Sequence, residues 1–290
     1  MYPELEKIAG LFGLTGIGHI KELKKGHINQ TYLVDCSSGL FVMQSLNRTI
    51  FKAPEIVMSN IALVSSAFEK APDCGVDIPR FLGSGGRNFA ETGGEIWRVY
   101  GYTEKCEAYS PFSHGFAVGR FLKTVNSADI CFQDNSTGLH KDFLELSLPL
   151  RNIHGDTRAD NIVFGRKKTV IDLDTLSRNV IAADYGDMMR SVTAEKFDTT
   201  AVYAATKGFA EGTDGLLTCE EIGSLYDGVI MIIRELIGRY THGNRNFPNK
   251  TPEQCLERVR QLTEQSEELQ SHESGFKAII RECFSTISST

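Results

Sequence analysis

The sequence predicts an α+β chain of two lobes: a small antiparallel β-sheet lobe carrying one main helix, then a larger, mostly helical lobe. Three observations carry this. Short apolar runs separated by turn residues fill the N-terminal third, and apolar residues at helical spacing dominate the C-terminal third. Between them a polar loop, His154-Gly155-Asp156-Thr157-Arg158-Ala159-Asp160-Asn161, runs into a short apolar hairpin that ends on Ile171-Asp172-Leu173-Asp174. The expected division is residues 1–101 for the first lobe and 102–290 for the second.

Taken in order, residues 5–14 have helical spacing and end at glycines. Residues 20–23, 31–35 and 41–46 read as a meander of antiparallel strands, with a loop headed by Gly26 and a Ser37-Ser38-Gly39 turn between them. Pro54 suits the first turn of a helix, and Val57, Ile61, Val64 and Phe68 give that helix one apolar face. Residues 78–82 and 95–100 read as two more strands joined by a glycine-rich turn region, 83–94. Beyond it, residues 115–125 predict an amphipathic helix and 139–146 a second short one. Helices are then expected over 198–209, 219–239, 252–270 and 275–287.

Size and composition narrow the function. A chain of 290 residues, 41% hydrophobic and 23% charged, can bury a substantial core as an ordinary globular protein. Its 31 basic and 37 acidic residues give a net charge of −6 with no basic block, which disfavours nucleic acid as a partner. The start, Met1-Tyr2-Pro3-Glu4-Leu5-Glu6, lacks the positive region and apolar run of a signal peptide. The longest apolar cluster, residues 229–233, is far too short for a bilayer and is followed by Arg234 and Glu235, so no membrane partner is expected. Seven scattered cysteines without a CxxC pair argue against a zinc site or disulfide framework and for a cytoplasmic location.

The central stretch carries chemistry. A tight hairpin brings its ends together, so Asp156, Asn161 and Asp172 converge on one small volume. Two carboxylates and an amide oxygen are hard donors that suit Mg²⁺ bound together with phosphate oxygens. Asp156 is then the group to orient a hydroxyl and accept its proton. An Asp, an Asn five residues on, and an Asp at a strand end is the order of parts in a kinase centre.

These motifs resemble a known superfamily. HGDTRADN followed by VIDLD is similar to the catalytic and metal-binding motifs of the aminoglycoside phosphotransferases and choline kinases, whose fold resembles that of the protein kinases. The resemblance implies a bilobal kinase-like fold and an ATP- and Mg²⁺-dependent transfer to a small-molecule hydroxyl, with Asp156 catalytic and acceptor-binding and Asn161 and Asp172 on the metal. It implies supporting roles for His154 as a loop brace, for Asp174 at a second metal or in orienting the loop, and for Asp187. GHINQTYLV and FVMQSLN resemble the N-acetylhexosamine 1-kinase branch, which points to Gly26, Asn29 and Gln44 as nucleotide-binding. Many kinases have a phosphate-pairing lysine where Gln44 stands; Lys24 and Lys25 are the nearby candidates to replace it.

Trp97-Arg98-Val99-Tyr100-Gly101-Tyr102 matches that branch's lobe junction and places the adenine edge on the backbone at Val99, Tyr100 and Tyr102. Ala183-Asp184-Tyr185-Gly186-Asp187-Met188-Met189-Arg190 matches a segment whose acids cap the following helix or brace the catalytic loop. Arg239, in a Gly-x-Arg-like element, is placed facing the acceptor, alongside its reading as a surface arginine. The segment before His154 is shorter than in that branch. Other acceptors (choline or ethanolamine, homoserine, an aminoglycoside, another sugar) and a nucleotide-binding pseudokinase are the competing readings.

Overall fold

The computed structural model of the chain describes residues 3–23, 28–135, 138–243 and 250–285. Gly26, Lys24 and Lys25 lie outside the described residues, as do the last positions of the helix expected to reach residue 287. Helix α1 (Pro3–Leu11) buries Leu5, Ile8 and Ala9 on the small-lobe sheet and ends in a turn at Gly13, whose φ is 77°. The sheet is a meander of β1 (His19–Glu22), β2 (Gln30–Cys36) and β3 (Gly39–Ser45). Helix α2 (Pro54–Lys70) follows with proline in its first turn, and buries the predicted Val57, Ile61, Val64 and Phe68 together with Asn60.

The next segment departs from expectation. Residues 78–82 do not form a strand; Pro79 brings no N–H to a ladder, and Phe81 makes only an isolated bridge to Tyr100. A two-residue strand, β4 (Val76–Asp77), comes instead just before it. Within the stretch read as a turn lies β5 (Ala90–Thr92), joined to β6 (Glu95–Gly101) by Gly93 and Gly94, with φ of 62° and 81°. Two residues with positive φ are the tight hairpin turn that twisted strands favour. Five antiparallel strands then run in the order β1-β2-β3-β6-β5.

The larger lobe opens with α3 (Pro111–Ser127), and residues 141–146 form a 3-10 helix rather than an α-helix. The catalytic stretch is then built from β7 (Arg151–Ile153), β8 (Ile162–Phe164), β9 (Lys168–Val170) and β10 (Ser177–Asn179). β8 and β9 form the expected hairpin, β4 adds to it in parallel, and β10 pairs with β7. Helix α4 (Ile181–Val192) contains Asp184 and Asp187 in its body, and its N-cap, Val180, has no capping side chain. Those acids therefore do not cap it.

Helix α5 (Thr199–Thr213) packs along α3 at backbone contact. A Cβ at Gly115 or Gly119 would strike the carbonyls of Ala205 or Phe209, and one at Gly208 or Gly212 those of Phe112 or Phe116. The single helix expected over 219–239 is two, α6 (Cys219–Gly223) and α7 (Leu225–Thr241). Glu221 completes a capping box with Thr218 and also receives Arg151, which anchors α6 separately. Gly228 of α7 meets Gly186 of α4 in a second glycine contact. Helices α8 (Pro252–Ser271) and α9 (Glu273–Ser285) close the lobe. Among the described residues no helix is long and apolar enough to cross a membrane.

Candidate active site

The loop from His154 to Asn161 is held by its surroundings at nearly every residue. Its backbone amides at His154 and Gly155 both donate to the Asp184 carboxylate, each at 2.7 Å, and Thr157 Oγ1 donates to the Asp184 carbonyl at 2.5 Å. The Gly155 carbonyl meets His140 Nε2 at 3.0 Å and the Thr157 carbonyl meets His114 Nε2 at 2.8 Å. Burial pushes His114 down to about 4, so that imidazole is neutral and its Nε2 carries the donated hydrogen. Burial opposes charge on His140 too, but the Glu235 carboxylate, 2.8 Å from Nδ1, outweighs it and raises that pKa.

Gly155 has φ of 83°, and a Cβ there would lie 2.7 Å from the Thr175 carbonyl. Only glycine fits such a turn. His154 is fully buried: its Nδ1 accepts from the Asp156 amide at 3.2 Å, so Nε2 carries the hydrogen given to the Ile171 carbonyl at 3.0 Å. The imidazole thus ties the loop to the far end of the hairpin.

At that junction the expected residues meet. Asn161 Nδ2 donates to Asp156 Oδ2 at 2.8 Å, and the Asn161 carbonyl accepts from the Ile171 amide at 2.9 Å. Asp172 follows with left-handed backbone, φ 61° and ψ 54°. The residue is exposed, yet protein walls its carboxylate on most sides: burial, then the Asp174 and Asp156 carboxylates, push it up to about 6. Burial and Asp187 likewise raise Asp156, against the pull of Arg158, His154 and Asn161. Two carboxylates that each resist ionisation are a site short of positive charge.

That donor set fits a cation shared with phosphate oxygens better than a cation held by protein alone. Among the described residues no group of three His, Cys, Asp or Glu side chains is arranged to hold a metal. A metal with few protein ligands that keeps phosphate oxygens in its shell is the habit of Mg²⁺.

The other expected residues take different places. Asp174 turns away from the cleft: Oδ1 accepts from Arg98 Nη1 and Oδ2 from Asn29 Nδ2 at 2.6 Å. Gln44 Oε1 receives Arg98 Nε at 3.0 Å and Nη2 at 2.7 Å, so Gln44 is bound up with Arg98. The backbone of the lobe junction is largely spent. The Val99 carbonyl accepts from Leu82, and the Gly101 and Tyr102 amides donate to Arg80 and Leu40. Val99 is buried, Tyr100 stacks obliquely on Phe81, and Tyr102 is exposed. Of the groups expected to meet adenine, the Val99 carbonyl and the Tyr102 amide are thus hydrogen-bonded within the protein.

Asp187 pairs through Oδ1 with Arg190 at 2.6 Å, while its buried Oδ2 has no hydrogen-bond partner among the described residues. Arg239 lies near Glu235, whose charge it stabilises, on the helix that reaches the loop through His140.

Several supporting residues escaped the sequence reading. Asn60 of α2 donates to the Leu176 carbonyl at 3.1 Å, and Asn135 donates to the Asp174 and Leu176 carbonyls. No motif marks them. Arg98 could have been noticed as a charged residue inside an otherwise apolar central strand.

Residues 136–218, which include the loop and the metal turn, match the family model APH, a phosphotransferase enzyme family. The fold is that of solved small-molecule kinases. A microcompartment-associated aminopropanol kinase superposes with a TM-score of 0.66 at 12% identity, covering 96% of this chain and 99% of that one. A spectinomycin phosphotransferase solved with ADP and spectinomycin gives 0.64 at 13%, covering 93% and 98%. Choline kinase from Cryptosporidium parvum gives 0.56 at 11%, covering 92% and 93%. The family match over residues 136–218 and the kinase-like fold support a small-molecule phosphotransferase.

Proposed function

We propose that this chain uses ATP and Mg²⁺ to phosphorylate a hydroxyl of a small molecule, and that the acceptor is the anomeric hydroxyl of an N-acetylhexosamine, giving the sugar 1-phosphate. The observation that carries the phosphotransferase reading is the Asp156–Asn161 pair facing Asp172 across the end of one hairpin. The acceptor rests on the resemblance of residues 26–34 and 41–47 to the hexosamine kinase branch.

Asp156 orients the acceptor hydroxyl and takes its proton as the oxygen bonds to the γ-phosphorus and the bond to the ADP oxygen breaks; the proton leaves to solvent afterwards. Asn161 spends its amide nitrogen on Asp156, which leaves its amide oxygen for the cation. Asp172 is the carboxylate ligand, and bound Mg²⁺ supplies charge neutralisation to the phosphates. The braced loop keeps Asp156 in place, so positioning contributes more than covalent chemistry.

An ADP-release screen across N-acetylhexosamines, hexoses, amino alcohols, choline, homoserine and aminoglycosides tests both levels. Turnover with an N-acetylhexosamine, and a sugar 1-phosphate in the phosphorus spectrum, is the expected result. Turnover only with an amino alcohol or an aminoglycoside would replace the acceptor, and ADP binding without any turnover would replace the enzyme by a binding protein.

A further inference from the structure

Gln44 occupies the place where many kinases carry a cation, and the cation nearest to it is Arg98 on the adjacent strand. The two stand opposite each other in register on β3 and β6. Gln44 is itself oriented, because its Nε2 donates to Thr31 Oγ1 at 3.0 Å and leaves Oε1 turned towards the guanidinium. That oxygen takes two of the Arg98 N–H groups, and the third nitrogen points at Asp174. Arg98 is 2% exposed and Asp174 3%. A charge buried so deeply is tolerable only when paired and hydrogen-bonded, and breaking such a pair is costly.

We propose that Arg98, aimed by Gln44, is a positioning residue that ties Asp174 to the small lobe and thereby presents Asp172, alone of the two acids, to the nucleotide-bound cation. The proposal rests on the kinase reading above. Both Asp174 oxygens are engaged, one by Arg98 and one by Asn29. Oδ1 would have to leave a buried arginine, and Oδ2 the Asn29 amide, to enter a metal shell. Two residues earlier in the chain, Asp172 sits in a left-handed conformation that only a well-held turn imposes on a non-glycine residue. The strand lysine's job is thus divided: Gln44 supplies no charge but sets a direction, and the charge acts on the metal turn.

The test measures Mn²⁺ binding by electron paramagnetic resonance in the presence of ADP, with ADP binding in EDTA and thermal melting measured alongside. The proposal replaces the nucleotide contact expected of Gln44 with the aiming of Arg98, so Gln44→Met, which keeps the side-chain length but removes the acceptor, separates the two roles. It should weaken Mn²⁺ in the ternary complex about tenfold, the usual scale for losing an outer partner of a metal ligand, while metal-free ADP binding stays within about twofold of wild type. Asp174→Asn should do the same, and the two changes together should be no worse than either, because both act through Arg98. Unchanged Mn²⁺ affinity in Gln44→Met overturns the proposal. So does a loss confined to Asp174→Asn, which would make Asp174 itself a ligand, or an equal loss of metal-free ADP binding in both variants, which would make the network merely structural. Wild-type protein that binds neither ADP nor its Mn²⁺ complex would overturn the kinase reading and this inference with it.

Discussion

Asp156 and Asp172 both resist ionisation, and that has a direct consequence in solution. For Asp172 the folded-state pKa, about 6, lies above that of an unfolded chain, so between roughly pH 4 and 6 the folded protein takes up a proton that the unfolded one does not. Acidification through that window therefore stabilises the ligand-free fold through this group, and at the same time competes with the metal. Mg²⁺-dependent ADP affinity, followed by calorimetry, should fall about tenfold per unit once the pH drops below about 6. Affinity that stays flat from pH 7 to 5 would rule out Asp172 as the ligand. Asp156→Asn should keep the fold and nucleotide binding but lower kcat by about 10²–10⁴, the range for losing a general base. Near-wild-type turnover in that variant would remove the catalytic assignment. These residues were legible because the motif packs three oxygen-bearing side chains at diagnostic spacing. Asp184 was legible as one of the acids read to brace the loop, and it accepts the amides of His154 and Gly155; the role of Arg98 was not, since what makes it matter is a partner far away in sequence, Asp174.

Elements were legible where one periodicity ruled. Helix α2 runs from its proline with the predicted apolar face buried, and β2, β3 and β6 lie within a residue or two of expectation. Misreadings fell where a tertiary contact decided. Residues 78–82 are as apolar as a strand but meet β6 only in an isolated bridge at Phe81, and α6 separates from α7 near Glu221, which is taken by Arg151. The α3–α5 contact is the clearest case, because glycine has poor helix propensity and yet four lie within these two helices. Gly119→Ala would place a methyl group against the Phe209 carbonyl. It should destabilise the protein by about 1–3 kcal/mol, the cost of overpacking, read as a lower melting temperature. A variant as stable as wild type would show that the helices can part.

At the scale of the molecule, the lobes are stitched at several points. The ion pair of Arg98 with Asp174 joins β6 to the metal turn, while β4 pairs with β9 and Asn60 of α2 reaches the chain at Leu176. Saturating Mg²⁺ and ADP, at a hundred times the dissociation constant, should raise stability by about 2.7 kcal/mol through mass action, measured by denaturant titration. Mg²⁺ without ADP should add much less, because protein side chains supply only part of its shell. An equal gain from the metal alone would contradict that division.

The glycine contact between α3 and α5 also limits how such a scaffold can change its chemistry. Four positions that admit nothing larger than hydrogen make the helix pair a fixed spindle, too tight to be widened for a bulkier guest. A change of guest on this scaffold therefore has to come from elements other than that pair.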